Sequence, residues 1–322
     1  MMNTKAIKAH GRQMTNIVDI SELDCIYLTY DEPQADDFYT KIRAMVPWVK
    51  RVHGVKGSDA AHKAAAAASD TERFILIDGD NLPNSIFFNE QLRLNQINEH
   101  CVFRWRARNY INGLTYGNGG ISSWTKTYVE NMRSHEATDG SDATSVEFCF
   151  DTNYWAMHDC YSTTHPQGDR YHAWRAGFRE GVKLCLDQGR RITPAEFETT
   201  WRGNRYNLEI WCTVGNDVEY GDWAIMGARY GAWRVMFDSS WDHTEVRDFD
   251  KLNNIYKNFQ DSRIEDYTLA LTNRLGLDIV HLSSAQSKWY KDHTIPHVNV
   301  DIMLPERDYN KVINETARQL WR

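Results

Sequence analysis

Two short, uninterrupted apolar runs constrain this chain more than any other feature in it. Cys25-Ile26-Tyr27-Leu28-Thr29-Tyr30 and Phe74-Ile75-Leu76-Ile77 show no clean polar alternation, which is the pattern of strands covered on both faces. Asp31-Glu32-Pro33 stops the first run. Between the two runs lie two helical segments. Asp36 to Met45 places Phe38, Ile42 and Met45 at helical spacing, and an alanine-rich stretch is opened by Gly57-Ser58-Asp59, with Ser58 as the expected N-cap. Strand, helix and strand in succession imply a parallel sheet with helices across its faces.

The expected architecture is therefore α/β: a Rossmann-like, mostly parallel central sheet flanked by helices, followed by a mainly helical C-terminal extension. The chain has 322 residues, 42% of them hydrophobic, so it has ample apolar surface for a core and is not a disordered segment. Further along, Cys101 to Tyr110 alternates like a strand, and Thr144 to Phe150 reads as another. Tyr171 to Leu186 is helical, with Trp174, Phe178, Val182 and Leu186 on related faces. Lys251 to Leu275 reads as one or two helices, Asp278 to Leu282 as a short strand and Tyr309 to Trp321 as a terminal helix. A boundary near Trp241 divides a body over residues 1–240 from an α-rich extension over 241–322.

Several function classes are excluded by what the chain lacks. The cysteines Cys25, Cys101, Cys149, Cys160, Cys185 and Cys212 form no C-x-x-C pair, so neither a structural zinc nor a dithiol redox site is suggested. No apolar stretch approaches the roughly 18 residues needed to cross a bilayer, and the N-terminal segment has no apolar core of a secretion signal. A cytoplasmic protein with no membrane association is the expectation. A net charge of -7 argues against indiscriminate nucleic-acid binding while leaving room for a local basic cleft.

The chemistry concentrates in Asp78-Gly79-Asp80-Asn81, directly after the second apolar run. In open α/β sheets ligands bind beyond the carboxyl ends of the strands, so both carboxylates point into the expected crevice. Glycine between them lets the backbone turn sharply. Two carboxylates plus ligand phosphates are the usual donor set for Mg²⁺, and Mn²⁺ serves similarly. The same tripeptide also suits a solvated turn.

Together with Cys25 to Asp31 and the Gly57-Ser58-Asp59-Ala60 helix start, this Asp-x-Asp turn resembles the nucleotide-binding half of GT-A glycosyltransferases, over about residues 23 to 185. The stretch Val46 to Ala65 is similar, more narrowly, to a group of tailed-phage glycosyltransferases assigned to the decoration of hydroxylated pyrimidines in phage DNA. The resemblance implies a nucleotide-sugar half over about 23–125 and an acceptor half over about 126–240. It implies Asp78 and Asp80 as metal ligands, and Thr29, Tyr30, Asp31, Gly57, Ser58, Lys63, Gly79, Gly119, Gly120 and Trp124 as contacts of a nucleoside-diphosphate sugar, with a uridine diphosphate sugar first among donors. Asp169, just before an arginine-bearing helix, matches the acid that deprotonates the acceptor hydroxyl in inverting members. Here Gly168-Asp169 stands where the family has Glu-Asp, and Asp151 and Glu147 remain alternatives. Asp169 also reads as a plain helix N-terminal acid.

Modified DNA, of the hydroxymethylcytosine or hydroxycytosine type, is the implied acceptor, and a host cell cytoplasm the implied location. Arg104, Arg106 and Arg108 alternate in the strand-like segment, so their guanidinium groups emerge on one face with Trp105 on the other. Arg170 and Arg175 extend the set. Such stripes also occur as solvated sheet faces. No obligate protein partner is implied, and the histidines show no close metal spacing, with His243 a candidate late metal ligand. A polysaccharide, glycan or protein acceptor, and a non-catalytic nucleic-acid-binding protein with a transferase-like fold, are the alternatives.

Overall fold

The computed structural model describes residues 16–115, 120–134, 154–187, 189–200 and 202–295. The expected strand over Thr144 to Phe150 and the terminal helix over Tyr309 to Trp321 lie outside these residues. The chain runs β1 (Asn16–Asp19), β2 (Asp24–Thr29), α1 (Ala35–Met45), β3 (Lys50–His53), α2 (Ser58–Ala68), β4 (Arg73–Asp78), β5 (Asn81–Pro83), β6 (Gln91–Leu94), β7 (Val102–Asn109), β8 (Ile121–Thr125), α3 (Lys126–Asn131) and β9 (Tyr154–Thr164). It continues through α4 (Arg170–Leu184), β10 (Leu186–Asp187), β11 (Arg190–Arg191), α5 (Pro194–Phe197), α6 (Arg202–Trp211), α7 (Gly221–Phe237), α8 (Phe249–Lys257), α9 (Ile264–Leu275) and α10 (Ser284–His293).

Seven strands form the central sheet in the order β3-β2-β4-β8-β7-β9-β5. The apolar runs behave as expected: β2 pairs in parallel with both β3 and β4. Beyond β4 the sheet is mixed rather than mostly parallel. β8 lies antiparallel to both β4 and β7, β7 and β9 are parallel, and β5 closes the edge antiparallel to β9. The difference originates at Ile121 to Thr125. These residues follow Gly119-Gly120 and carry no strand signal in the sequence, yet they fill the gap between β4 and β7 as an antiparallel strand. β7 itself alternates as expected, with Phe103, Trp105 and Ala107 buried and the three arginines on the opposite face.

The sheet is strongly curled, and its connectivity requires this. β4 is third and β5 seventh in the order, a separation of about 19 Å across a flat sheet at about 4.8 Å per strand. Only Gly79 and Asp80 join them, and three Cα steps reach at most about 11 Å. The far edge must therefore swing back toward the carboxyl end of β4.

One face of the sheet, carrying Cys25, Tyr27, Ile75, Ile77, Phe103 and Trp105, packs on Phe38 and Ile42 of α1. The other, with Ile26, Phe74, Leu76, Val102 and Trp124, packs on Ala65 and Ala66 of α2. Gly57 rather than Ser58 caps α2, with φ at 90°; Ser58 is the first helical residue, and no side chain caps the end.

A third core belongs to the mainly helical C-terminal region. α4 and α7 cross in it with their backbones touching: a methyl group at Gly177 or Gly181 would overlap the carbonyl oxygens of Ala224 or Ala228, and one at Gly227 or Gly231 those of Trp174 or Phe178. Lys251 to Leu275 forms two helices, α8 and α9. Asp278 to Leu282 is not a strand: Ile279 and Leu282 pack on the helical core and the Asp278 N–H donates to Glu209 Oε1 at 3.0 Å.

Candidate functional site

The carboxyl ends of β2 and β4 face the N-terminus of α4, and of the side chains singled out from the sequence Asp31, Asp78, Asp80, Asp169 and Arg175 lie at these ends. Asp78 ends β4, and its N–H donates to the Gly120 carbonyl at 2.8 Å. The Tyr27 hydroxyl donates to the Gly79 carbonyl at 2.7 Å, and the His165 N–H to the Asp80 carbonyl at 2.7 Å. The turn is thus tied to β2, to the segment before β8 and to the end of β9. Gly79 leaves room for the Glu32 carboxylate: a Cβ there would lie 2.5 Å from its carboxyl carbon, and the side chain would have to swing aside. Glu32, whose carboxylate accepts the Tyr30 N–H at 2.8 Å, was not singled out by sequence reasoning.

Three carboxylates, Glu32, Asp78 and Asp80, consequently crowd one turn. Burial, then the neighbouring Asp80 and Glu32, push the Asp78 carboxyl up to about 7, with Arg104 opposing. Asp78 nevertheless keeps substantial solvent-accessible area. Protein atoms crowd around the carboxyl group while part of the residue stays open to water. Burial raises Asp80 despite a Thr164 hydrogen bond and the nearby Arg175, and raises Glu32 with help from Asp80 and Asp31. Crowded, upward-shifted acids release free energy when a cation replaces their protons.

The fit to a metal is partial. Among the described residues no three His, Cys, Asp or Glu side chains converge as a complete cage, so an ion at this turn would rest on Asp78 and Asp80 and complete its shell with ligand oxygens and water. That is the arrangement Mg²⁺ favours. Asn81, next in the chain, is fully buried with its Oδ1 lacking a hydrogen-bond partner.

A second group of side chains joins the sheet to the helical region. Arg175 donates to both oxygens of Asp31, at 2.9 and 3.2 Å. His172 lies between two acids, with Nε2 3.4 Å from Asp31 Oδ1 and Nδ1 2.9 Å from Asp169 Oδ1. Asp169 is also the N-cap of α4, accepting the His172 N–H at 2.8 Å. Burial opposes ionisation of Asp31, but His172 and Arg175 outweigh it and hold its carboxyl well below the usual range. Asp169 is lowered too, its burial overcome by hydrogen bonds from His172. Burial disfavours the charged imidazole of His172, yet the two carboxylates win and raise its pKa.

Other predicted residues are placed less centrally. The buried Thr29 hydroxyl accepts from Arg51 Nε at 3.1 Å and meets His53 Nδ1 at 2.9 Å. Tyr30 is exposed at the end of β2. Lys63 reaches back to Asp59 at 2.6 Å on the same helix. Trp124 is buried beside His62, Tyr128 and Tyr154, with its Nε1 donating to Ser122 at 2.7 Å, so its ring serves the packing of β8 on α2. Arg104 lies 4.3 Å over the Tyr154 ring on the same strand face as Arg106 and Arg108. Arg175 is locked on Asp31, whereas Arg170 is exposed over Trp223 at 5.4 Å. His243 contacts the Gly189 carbonyl at 2.9 Å, within the helical region. Asp151, Glu147 and Gly119 lie outside the described residues.

Among the described residues no helix is long and apolar enough to cross a membrane. No family model, curated protein or solved structure matches the chain.

Proposed function

We propose that the protein is a metal-dependent glycosyltransferase that moves a sugar from a nucleoside-diphosphate sugar, a uridine diphosphate sugar first, to a hydroxylated pyrimidine in DNA. The observation that carries this reading is the crowded Asp78-Gly79-Asp80 turn at the carboxyl end of β4. Asp78 and Asp80 would hold a divalent ion, Mn²⁺ or Mg²⁺. Such an ion supplies positive charge against the developing negative charge of a diphosphate leaving group.

The remaining steps belong to the protein's own side chains. Tyr30, exposed beside Asp31, offers a ring for the nucleoside. Asp169, oriented through Oδ1 by His172, is ionised at neutral pH and takes the proton of the acceptor hydroxyl as general base. The acceptor oxygen bonds to the anomeric carbon as the bond from that carbon to the diphosphate oxygen breaks, and the electron pair leaves with the nucleoside diphosphate. Asp31 and Arg175 hold His172, and through it Asp169, at a fixed distance from the turn.

Thermal melting with uridine diphosphate, with Mn²⁺ and with both is the test, because a ligand that binds only the folded state raises the melting temperature. A shift that needs both and is lost in Asp80→Ala is expected. The absence of any shift with uridine, guanosine, cytidine or thymidine diphosphate plus Mn²⁺ overturns the donor assignment.

A further inference from the structure

α7 begins with a residue poorly suited to begin a helix. Tyr220, its N-cap, has φ 56° and ψ 12°, and its side chain makes no capping hydrogen bond. It is the single non-glycine residue with positive φ among those described. N-caps are normally extended Ser, Thr, Asp or Asn, and the left-handed region is disfavoured for a bulky side chain. The preceding loop folds back tightly, with the Val218 N–H on the Gly215 carbonyl and the Gly221 N–H on the Val218 carbonyl, both at 3.1 Å. Glycine at 220 would accept this geometry without strain. A tyrosine ring kept in such a place points to a use for the ring.

Its surroundings identify the use. Tyr220 precedes Trp223 by three residues at the start of α7, and both rings pack with Tyr256 on the helical core. The Arg170 guanidinium lies 5.4 Å over the Trp223 ring, Trp223 is 5.9 Å from Tyr256, and Tyr256 is 5.2 Å from Tyr171. These aromatic side chains are half-buried and Arg170 is exposed. An aromatic surface edged by a guanidinium therefore adjoins the carboxylate that receives the acceptor's proton.

We infer that Tyr220, Trp223 and Tyr256, with Arg170 at the rim, form a stacking platform for the acceptor base, an unpaired pyrimidine whose adjoining phosphate meets Arg170. This rests on the proposed role of Asp169, since an acceptor whose hydroxyl reaches that carboxylate must lay its ring on what borders it. Ring-on-base stacking with nearby arginine is the general chemistry of single-stranded nucleic-acid sites. A base in duplex would have to be turned out of the stack to reach it.

Two substitutions separate this from a structural role. Tyr220→Gly removes both ring and backbone strain, while Tyr220→Phe keeps both. The probe is a labelled single-stranded oligonucleotide carrying 5-hydroxymethylcytosine, titrated at low salt by fluorescence anisotropy. Tyr220→Gly is expected to keep the wild-type far-ultraviolet dichroism and the wild-type melting response to uridine diphosphate with Mn²⁺, and to bind the oligonucleotide at least about fivefold more weakly. Tyr220→Phe is expected to bind as wild type. Oligonucleotide binding unchanged in Tyr220→Gly overturns the inference, as does a wild type that binds a malto-oligosaccharide at this surface and no oligonucleotide. If the wild type shows no response to uridine diphosphate and Mn²⁺ while Tyr220→Gly still loses oligonucleotide affinity, the platform stands and the donor assignment fails.

Discussion

Gly227→Ala should destabilise the protein even though alanine is the better helix former. In a helix interior the exchange gains about 1 kcal/mol from backbone entropy and propensity. At Gly227, however, the new methyl would overlap the Trp174 carbonyl oxygen, a backbone atom that cannot rotate aside. Ordinary carbon-to-oxygen contact begins near about 3.3 Å, so α7 must withdraw from α4 by on the order of 1 Å. A gap of that size forfeits about a quarter to a half of each dispersion contact it opens. The contacts concerned include Trp174, Phe178, Ala224, Ala228 and Ala232, all fully buried. An overpacking cost of about 3 kcal/mol against the propensity gain leaves a net loss of about 2 kcal/mol. Urea titration followed by tryptophan fluorescence and by far-ultraviolet dichroism measures it, with Leu269→Ala on the exposed face of α9 as a control expected within about 0.5 kcal/mol of wild type. A Gly227→Ala variant as stable as the wild type would refute the claim that the two backbones touch.

Three further outcomes follow from the same geometry. Asp31→Asn strands the buried Arg175 guanidinium and should cost about 2–3 kcal/mol in urea titration, the low end for a buried pair because Asp31 keeps partial contact with solvent; no loss would mean the pair is idle. His172 has a raised pKa, so its charge stabilises the fold fully below about 6.5 and the contribution fades as pH rises through the raised value. The stability gap between wild type and His172→Gln should accordingly narrow between pH 6 and pH 8.5, and a constant gap would sink that reading. Lys291 and Asp217 form a buried ion pair at 2.5 Å, and Lys291 Nζ also reaches the Tyr110 and Ile111 carbonyls at 3.4 Å. Lys291→Met leaves Asp217 unpaired and should lower stability by about 3–5 kcal/mol, readable as a shifted urea midpoint at unchanged slope.

What could be read from the sequence depended on whether the signal was local. β2 and β4 were legible because burial on both faces leaves an uninterrupted apolar run, and β7 because burial on one face leaves strict alternation. β8 was not, because Gly119 and Gly120 at its entrance outweighed five residues of strand. α7 gave little helical signal: Gly227 and Gly231 are poor helix formers, and their reason for being there is α4, which local pattern cannot reveal. The site divides in the same way. The placement of Asp78 and Asp80 after an apolar run was visible. Glu32 was not, since its contact with Gly79 bridges two strand ends far apart in sequence. The capping role of Asp169 was visible from its position before α4, whereas the partnership of His172 with Asp31 exists only once α4 has docked on the end of β2.

The two-residue link between β4 and β5 carries a consequence for how the chain is made. During synthesis, both carboxylates of the turn emerge long before the turn has its final shape, because β5 finds its partner only when β9 has been extruded through Thr164 and has docked beside β7. Sheet closure of this kind is a late, long-range event in folding. A nascent or truncated chain ending before β9 therefore possesses the acidic residues without the geometry that crowds them, and has little to offer a divalent cation. The metal site proposed at Asp78 and Asp80 would thus be a property of the finished topology, and cation binding that appears during refolding would mark the moment the seam of the sheet closes.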